Sequence, residues 1–300
     1  MKVLLTGATG YIGRGLKKRL LEDETLQLRL FVRNERKTQE KYKERVEIFE
    51  GSTFDRESLR KALDGIDVAY YLIHSMGTKG DFRELDRTSA KNFLDACIDS
   101  NVHRIIYLGG LGREDTASKH LLSRIETGEI LSSRPDSIQT IWFRAGIIIG
   151  SGSASFEIIR HLVRKLPLMT TPKWVHTKTQ PIGVCDVLEY LFQAKDLDTK
   201  KNVIVDIGSD QMSFKDMLIR ASKVMGLKRL LIPVPLLTPR LSSYWLILVT
   251  PISFRIAKAL VDGLKSETII QNDNAKKYFG HISPLSYEDA IKIALREIEK

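Results

Sequence analysis

A doubly wound parallel α/β sheet with a smaller C-terminal subdomain is the fold that this sequence of 300 residues predicts, and three observations predict it. Apolar, β-branched runs alternate with helical patterns through the first half, the mark of a parallel sheet covered on both faces. A glycine-rich turn, Gly7-Ala8-Thr9-Gly10-Tyr11-Ile12-Gly13, follows directly on the first of these runs. Beyond Gly150 the alternation gives way to Gly/Ser-rich and then Pro-bearing sequence, which reads as an excursion out of the sheet.

Taken in order, strands are expected at residues 3–6, 28–32, 46–49, 68–73, 104–108 and 140–143. Each is a short apolar run of strand length, bounded by turn residues. Helices are expected between them at 11–22, 57–63, 82–99 and 119–133, where apolar residues recur at intervals of three and four. Asp55 and Asp81 stand where each can accept from the free N–H groups of a first helical turn. After the excursion at 151–181, a helix at 184–194 and a strand at 202–207 return to the sheet. A helix at 214–225, a Pro-rich, apolar and basic stretch at 227–265 and an amphipathic helix at 286–300 complete the chain.

The composition is that of a globular protein, 43% hydrophobic and 28% charged, which is enough to bury a sizeable core. Met1-Lys2 runs straight into Val3-Leu4-Leu5 without the apolar stretch and cleavage site of an export signal, so a cytoplasmic location is expected. The two cysteines, Cys97 and Cys185, form no metal-ligand spacing and no disulfide framework. Forty-seven Lys and Arg against 37 Asp and Glu leave a net charge of +10, which favours anionic partners without choosing among them.

The glycine turn narrows the choice. Strand, G-x-x-G-x-x-G turn and helix together are close to the dinucleotide fingerprint of a Rossmann fold. Glycine lets the backbone bend tightly and approach a pyrophosphate without a Cβ clash. The N–H groups and positive dipole end of the next helix then hold the phosphate charge. Gly7, Thr9, Gly10, Tyr11, Ile12 and Gly13 are therefore candidate cofactor-binding residues. The end of the second strand selects the cofactor: Asp or Glu there bonds a ribose 2′-hydroxyl, and Arg meets a 2′-phosphate. Here stand Arg33 and, close behind, Arg36, so NADP(H) is expected over NAD(H). The nucleotide-binding domain is then 1–150 with 182–207 returning to it, and 151–181 with 208–300 form a small substrate or lid subdomain.

Thr6-Gly7-Ala8-Thr9-Gly10-Tyr11-Ile12-Gly13 resembles the fingerprint of the atypical short-chain dehydrogenase/reductases. The stretches Tyr71-Leu72-Ile73-His74-Ser75-Met76-Gly77, Phe143-Arg144-Ala145-Gly146 with the residues after it, and Pro172-Lys173-Trp174-Val175 are similar to the bacterial YbjT-type NAD(P)H-binding proteins. The likeness runs from residue 1 to about 270, and it implies the fold and the cofactor class but no particular reaction. Active members of the superfamily use a Tyr-x-x-x-Lys pair and a Ser or Thr after the fifth strand. The corresponding positions here read His120-Leu121-Leu122-Ser123-Arg124 and Gly109-Gly110. His120 and Arg124 are thus the candidate catalytic pair, a histidine of ordinary pKa about 6.5 being able to exchange protons at neutral pH. Ser52 stands where the family usually has an adenine-contacting Asp, and His74 and Ser75 close the fourth strand at the sheet's carboxyl edge. Trp174 and His176 are candidates for a substrate wall.

The expected function is an NADP(H)-dependent oxidoreductase acting on a small apolar or quinone-like carbonyl compound. The rival is a non-catalytic NADP(H)-binding redox sensor or assembly module, as the missing Tyr/Lys pair suggests; the family it resembles includes the regulator NmrA and the NADPH-holding accessory subunit of respiratory complex I. No nucleic-acid partner is expected, a homo-oligomer is left open, and 227–265 is a candidate peripheral-membrane contact. Its longest uncharged run, residues 241–254, would span only about 21 Å as a helix, short of a bilayer core of roughly 30 Å.

Overall fold

The structure, a computed structural model, describes residues 1–38, 44–74, 81–233, 261–263 and 266–299, the side chains of Lys37, Lys173, Trp174 and Pro233 excepted. Ser75 and most of 227–265 lie outside the described residues.

In chain order the first half runs β1 (Lys2–Thr6), α1 (Tyr11–Leu21), β2 (Gln27–Val32), β3 (Val46–Glu50), α2 (Arg56–Leu63), β4 (Val68–Tyr71), α3 (Phe82–Asp99), β5 (Arg104–Gly110), α4 (Lys119–Leu131) and β6 (Gln139–Ala145). There follow β7 (Ile148–Ile149), α5 (Ala154–Lys165), β8 (Leu168–Thr171), β9 (Lys178–Thr179), β10 (Ile182–Gly183), α6 (Val184–Gln193) and β11 (Val203–Ile207). The rest is β12 (Met212–Ser213), α7 (Phe214–Val224), β13 (Leu230–Pro233), α8 (Asn274–Phe279) and α9 (Tyr287–Ile298).

Seven strands form one sheet in the order β11-β6-β5-β4-β1-β2-β3, every neighbouring pair parallel. This is the Rossmann-type α/β fold that the alternating pattern predicts. Successive side chains of a strand point to opposite faces, so one β1 run feeds two cores. Val3 and Leu5 pack with Leu16 and Leu20 of α1 and Val187 and Leu191 of α6. Leu4 packs on the other face with Leu59, Leu63, Phe93 and Ile125 from α2, α3 and α4. Asp55 caps α2 by accepting from the N–H groups of Glu57 and Ser58, and Asp81 caps α3 by accepting from Arg83.

A second core joins α5, α7 and α9 through Phe156, Ile159, Met217, Leu218, Tyr287 and Ile291. The C-terminal stretch is shared between the two cores. Phe279 of α8 is buried on the sheet with Phe143 and Tyr190, at ring-centroid distances of 5.5 and 5.6 Å. Gln271 N–H donates to Asp206 of β11 at 2.7 Å, and Asn274 Nδ2 donates to the Ile204 carbonyl at 2.8 Å. Residues 271–282 therefore pack on the Rossmann sheet, and the single block 208–300 is corrected to that extent: an aromatic that fits between Phe143 and Tyr190 draws its helix there. Asp206 also takes both arms of Arg144 at 2.6 and 2.9 Å, a fully buried carboxylate joined to β6 by a bidentate pair. Among the described residues, no helix is long and apolar enough to cross a membrane.

Candidate functional site

Strand order reverses between β1 and β4, because the chain leaves β1 for β2 on one side and reaches β4 on the other. Ligands of doubly wound sheets bind outside the carboxyl ends of the strands at such a point. Thr6 ties the two ends together: its Oγ1 donates to the Tyr70 carbonyl at 2.8 Å and accepts from Leu72 N–H at 3.1 Å.

The glycine turn opens onto this crevice. Gly7 has φ +66°, and a Cβ there would stand 2.4 Å from the Leu72 carbonyl oxygen. Gly10 N–H closes the turn on the Gly7 carbonyl at 2.9 Å. A Cβ on Gly13 would stand 2.1 Å from that same carbonyl oxygen, so α1 begins hard against the turn. Gly10, the N-cap of α1, has no side chain to cap it, and the first turn carries no acidic residue. Its leading N–H groups, from Tyr11, Ile12 and Gly13, are thus left for an anion, with the positive end of the helix dipole behind them. The residues fit a dinucleotide pyrophosphate: a tight turn that a Cβ at Gly7 or Gly13 would disrupt, at a helix start without a capping side chain on Gly10, on the switch point. Thr9 contributes its carbonyl to Arg14 Nη1 at 2.7 Å, which braces the turn, while the Tyr11 ring lies against Gly150 and Gly152. Burial raises the Tyr11 phenol well above its usual pKa.

At the end of β2, Arg33 and Arg36 are exposed, and among the described residues neither has an ion-pair partner. Asn34 holds the bend by accepting from Arg36 N–H at 3.0 Å. Ser52 is half-buried beyond β3, its Oγ accepting from Phe54 N–H at 3.3 Å.

A second group of side chains gathers at the same edge, from the ends of β4 and β5 and the starts of α3 and α4. His74 is exposed at the rim, with Arg124, His120 and Asp86 near it. Burial, with the Arg124 guanidinium and His120 beside it, pushes its pKa down from 6.5 to about 4 against the opposing pull of Asp86. His120 stacks on Phe82, 4.4 Å between centroids at 18°. Arg124 Nη2 donates to the Leu108 carbonyl at 2.9 Å, and its Nε is buried with no hydrogen-bond partner among the described residues. Asp86, buried on α3, accepts from Ser123 Oγ at 2.8 Å. His74, His120 and Arg124, read from separate segments of sequence, thus share one electrostatic cluster. Asp86 was not among the candidates. Its signal was a carboxylate four residues after Phe82 and four before Ala90, on the stripe that α3 buries. A Cβ on Gly110 would stand 2.8 Å from Leu121 Cδ1.

The substrate-wall candidates lie apart from this cluster in the sequence of the small lobe. Lys173–His176 form a 3-10 turn in which His176 is exposed, and the Trp174 side chain lies outside the described residues. Gln180 is a structural clamp, since its amide joins Ser209 O at 3.0 Å and Ile270 N–H at 2.8 Å.

A pH titration checks the cluster. The folded chain takes a proton on His74 near pH 4 and the unfolded chain near 6.5, so this residue's contribution to stability is lost as pH falls through that window. In two-dimensional NMR the His74 ring should remain neutral down to pH 5, and Arg124→Met should move its midpoint upward. A midpoint near 6.5 in the native protein would show that His74 does not feel the Arg124 guanidinium and its surroundings in this way.

Comparison with known proteins points the same way. Residues 7–133 match the family model described as NAD(P)H-binding. An uncharacterized chloroplastic protein of Arabidopsis thaliana is 27% identical over 238 residues, covering 70% of this chain and 70% of that one. The triphenylmethane reductase of a Citrobacter species, solved in complex with NADP(H), superposes with a TM-score of 0.79 at 19% identity, over 98% of this chain and 100% of that one. A nucleoside-diphosphate-sugar epimerase of Staphylococcus aureus superposes with a TM-score of 0.77 at 16% identity, over 97% and 100% of the two chains. The glycine cradle and the reversal of strand order agree with the match of residues 7–133 to the NAD(P)H-binding model, and the solved structures share the Rossmann fold.

Proposed function

We propose that the protein is an NADP(H)-dependent oxidoreductase that reduces a small apolar or quinone-like carbonyl compound. The observation that carries this reading is the uncapped start of α1 opening on the same sheet edge as His74, His120 and Arg124. A dinucleotide held at that turn supplies a hydride, and the chain's own residues must manage charge and proton. Arg124 sets a fixed positive charge where negative charge grows on a carbonyl oxygen, and low local dielectric strengthens it. His74 is neutral at pH 7 and is a poor proton donor, though its ring N–H can position the oxygen. His120, in the place of the family's tyrosine, is the group that gives the proton. Carbonyl, hydride and this proton make the alcohol or hydroquinone, and solvent restores the proton to His120. The Citrobacter neighbour, a triphenylmethane reductase linked to triphenylmethane dyes and solved with NADP(H), supports NADP(H) chemistry on an aromatic acceptor.

The cofactor preference rests on Arg33 and Arg36, whose exposed guanidinium groups suit a 2′-phosphate. NADPH should bind at least about tenfold more tightly than NADH, and Arg33→Asp should erase the difference. Equal dissociation constants for the native protein in titration calorimetry would overturn the preference. Turnover is followed as NADPH oxidation with a panel of quinones and aromatic aldehydes. His120→Ala should lower kcat by about 10²-fold with NADPH binding intact. A protein that binds NADPH but oxidises it with none of these acceptors favours the non-catalytic reading instead, for which the replacement of the Tyr and Lys pair speaks.

A further inference from the structure

The small lobe carries an apolar surface of its own. β8 and β13 form a two-stranded parallel sheet in which Leu230 pairs with Leu168 and Ile232 with Thr170. Alternate residues turn inward, and Met169 and Thr171 are buried. The outward residues Leu168, Leu230 and Ile232 are 49%, 61% and 40% exposed, a cost that isolated surface leucines do not explain when three share eight residues of sheet. The residues that lead into both strands are cationic. Arg164 and Lys165 end α5 just before β8, and Lys228 comes just before β13, all three exposed. Arg229 fixes the two segments together by donating from Nη2 to the Arg164 carbonyl at 3.3 Å. No Asp or Glu occurs from Ile158 to Thr179 or from Met217 to Pro233.

We infer that this face docks on an anionic phospholipid surface, Leu168, Leu230 and Ile232 entering the interface and Arg164, Lys165 and Lys228 meeting the headgroups. An apolar face whose two strands are each preceded by exposed basic residues has the amphipathic chemistry of a peripheral membrane contact, and acidic residues there would repel the same surface. The complementarity also distinguishes this occupant from a second copy of the chain, because two such faces would bring like charges together.

The test is co-sedimentation of the full-length protein with vesicles of 70:30 phosphatidylcholine and phosphatidylglycerol, against vesicles of phosphatidylcholine alone. Partitioning should be at least about tenfold stronger on the anionic vesicles and should fall as salt rises. Leu230→Asp should abolish it, and Lys165→Glu with Lys228→Glu should weaken it by more than about tenfold. Unchanged NADPH binding in each variant shows that the fold is intact. Equal partitioning on both vesicle types, none on either, or no effect of the substitutions overturns the proposal. A dimer in analytical ultracentrifugation that Leu230→Asp dissociates would give the face to a second copy and overturn it as well.

Discussion

Replacing Gly13 with alanine should lower NADPH affinity by at least about 100-fold, or about 2.8 kcal/mol. The added Cβ would stand 2.1 Å from the Gly7 carbonyl oxygen, 2.8 Å from the Gly7 carbonyl carbon and 2.9 Å from Ala8 Cα. All three are backbone atoms, so no rotamer change relieves the contact. Either α1 moves away from the turn or the turn opens, and in both cases the N–H groups that face the phosphates are displaced. Gly10, whose Cβ would meet only the Gly7 carbonyl oxygen at 3.1 Å, is the comparison: Gly10→Ala should cost much less. Calorimetric titration measures both, with circular dichroism as the check on folding. Near-native affinity in Gly13→Ala would mean that the turn does not hold the pyrophosphate.

Removing one partner of the Arg144 and Asp206 pair should be the most damaging single change to stability outside the glycine turn. Asp206 is fully buried, accepts both arms of Arg144 and also accepts from Gln271 N–H. Arg144→Met leaves that carboxylate without its countercharge and should cost about 3–5 kcal/mol, seen as a lower urea midpoint at unchanged slope. Asp206→Asn added to Arg144→Met removes the stranded charge while keeping an acceptor for Gln271, and should recover more than half of the loss. A cost below about 1 kcal/mol for Arg144→Met would place the pair among ordinary surface bridges.

The two cases mark what sequence can and cannot carry. The glycine turn was legible because its signal is local: spacing, a preceding strand and a following helix all lie within residues 3–22. The sheet was legible for a related reason, since β1, β4 and β5 are buried on both faces and so read as continuous apolar runs. Caps such as Asp55 and Asp81 announce themselves at the first turn. Arg144 and Asp206 stand 62 residues apart, and nothing in either one's neighbourhood names the other. The same is true of β8 and β13, short strands joined across 62 positions, and of His74 and Arg124, which meet only because β4 and β5 are neighbours. Periodicity reports how much of a side chain is buried, not against what. That is why His74 was read as a crevice residue and His120 with Arg124 as a separate pair, while Asp86 passed as one charge among many on a long helix.

Phe279 and Tyr287 stand eight positions apart and complete different cores, one on the Rossmann sheet and one in the small lobe. During synthesis the N-terminal strands leave the ribosome long before either aromatic does, and most domains use that interval to fold. Here the interval ends with Phe143 and Tyr190 still lacking Phe279, and with Met217 still lacking the hydroxyl that Tyr287 donates to its carbonyl. Neither core can therefore close before its aromatic has been made, so a ribosome stalled before codon 279 presents a nascent protein with two open cores to chaperones and proteases.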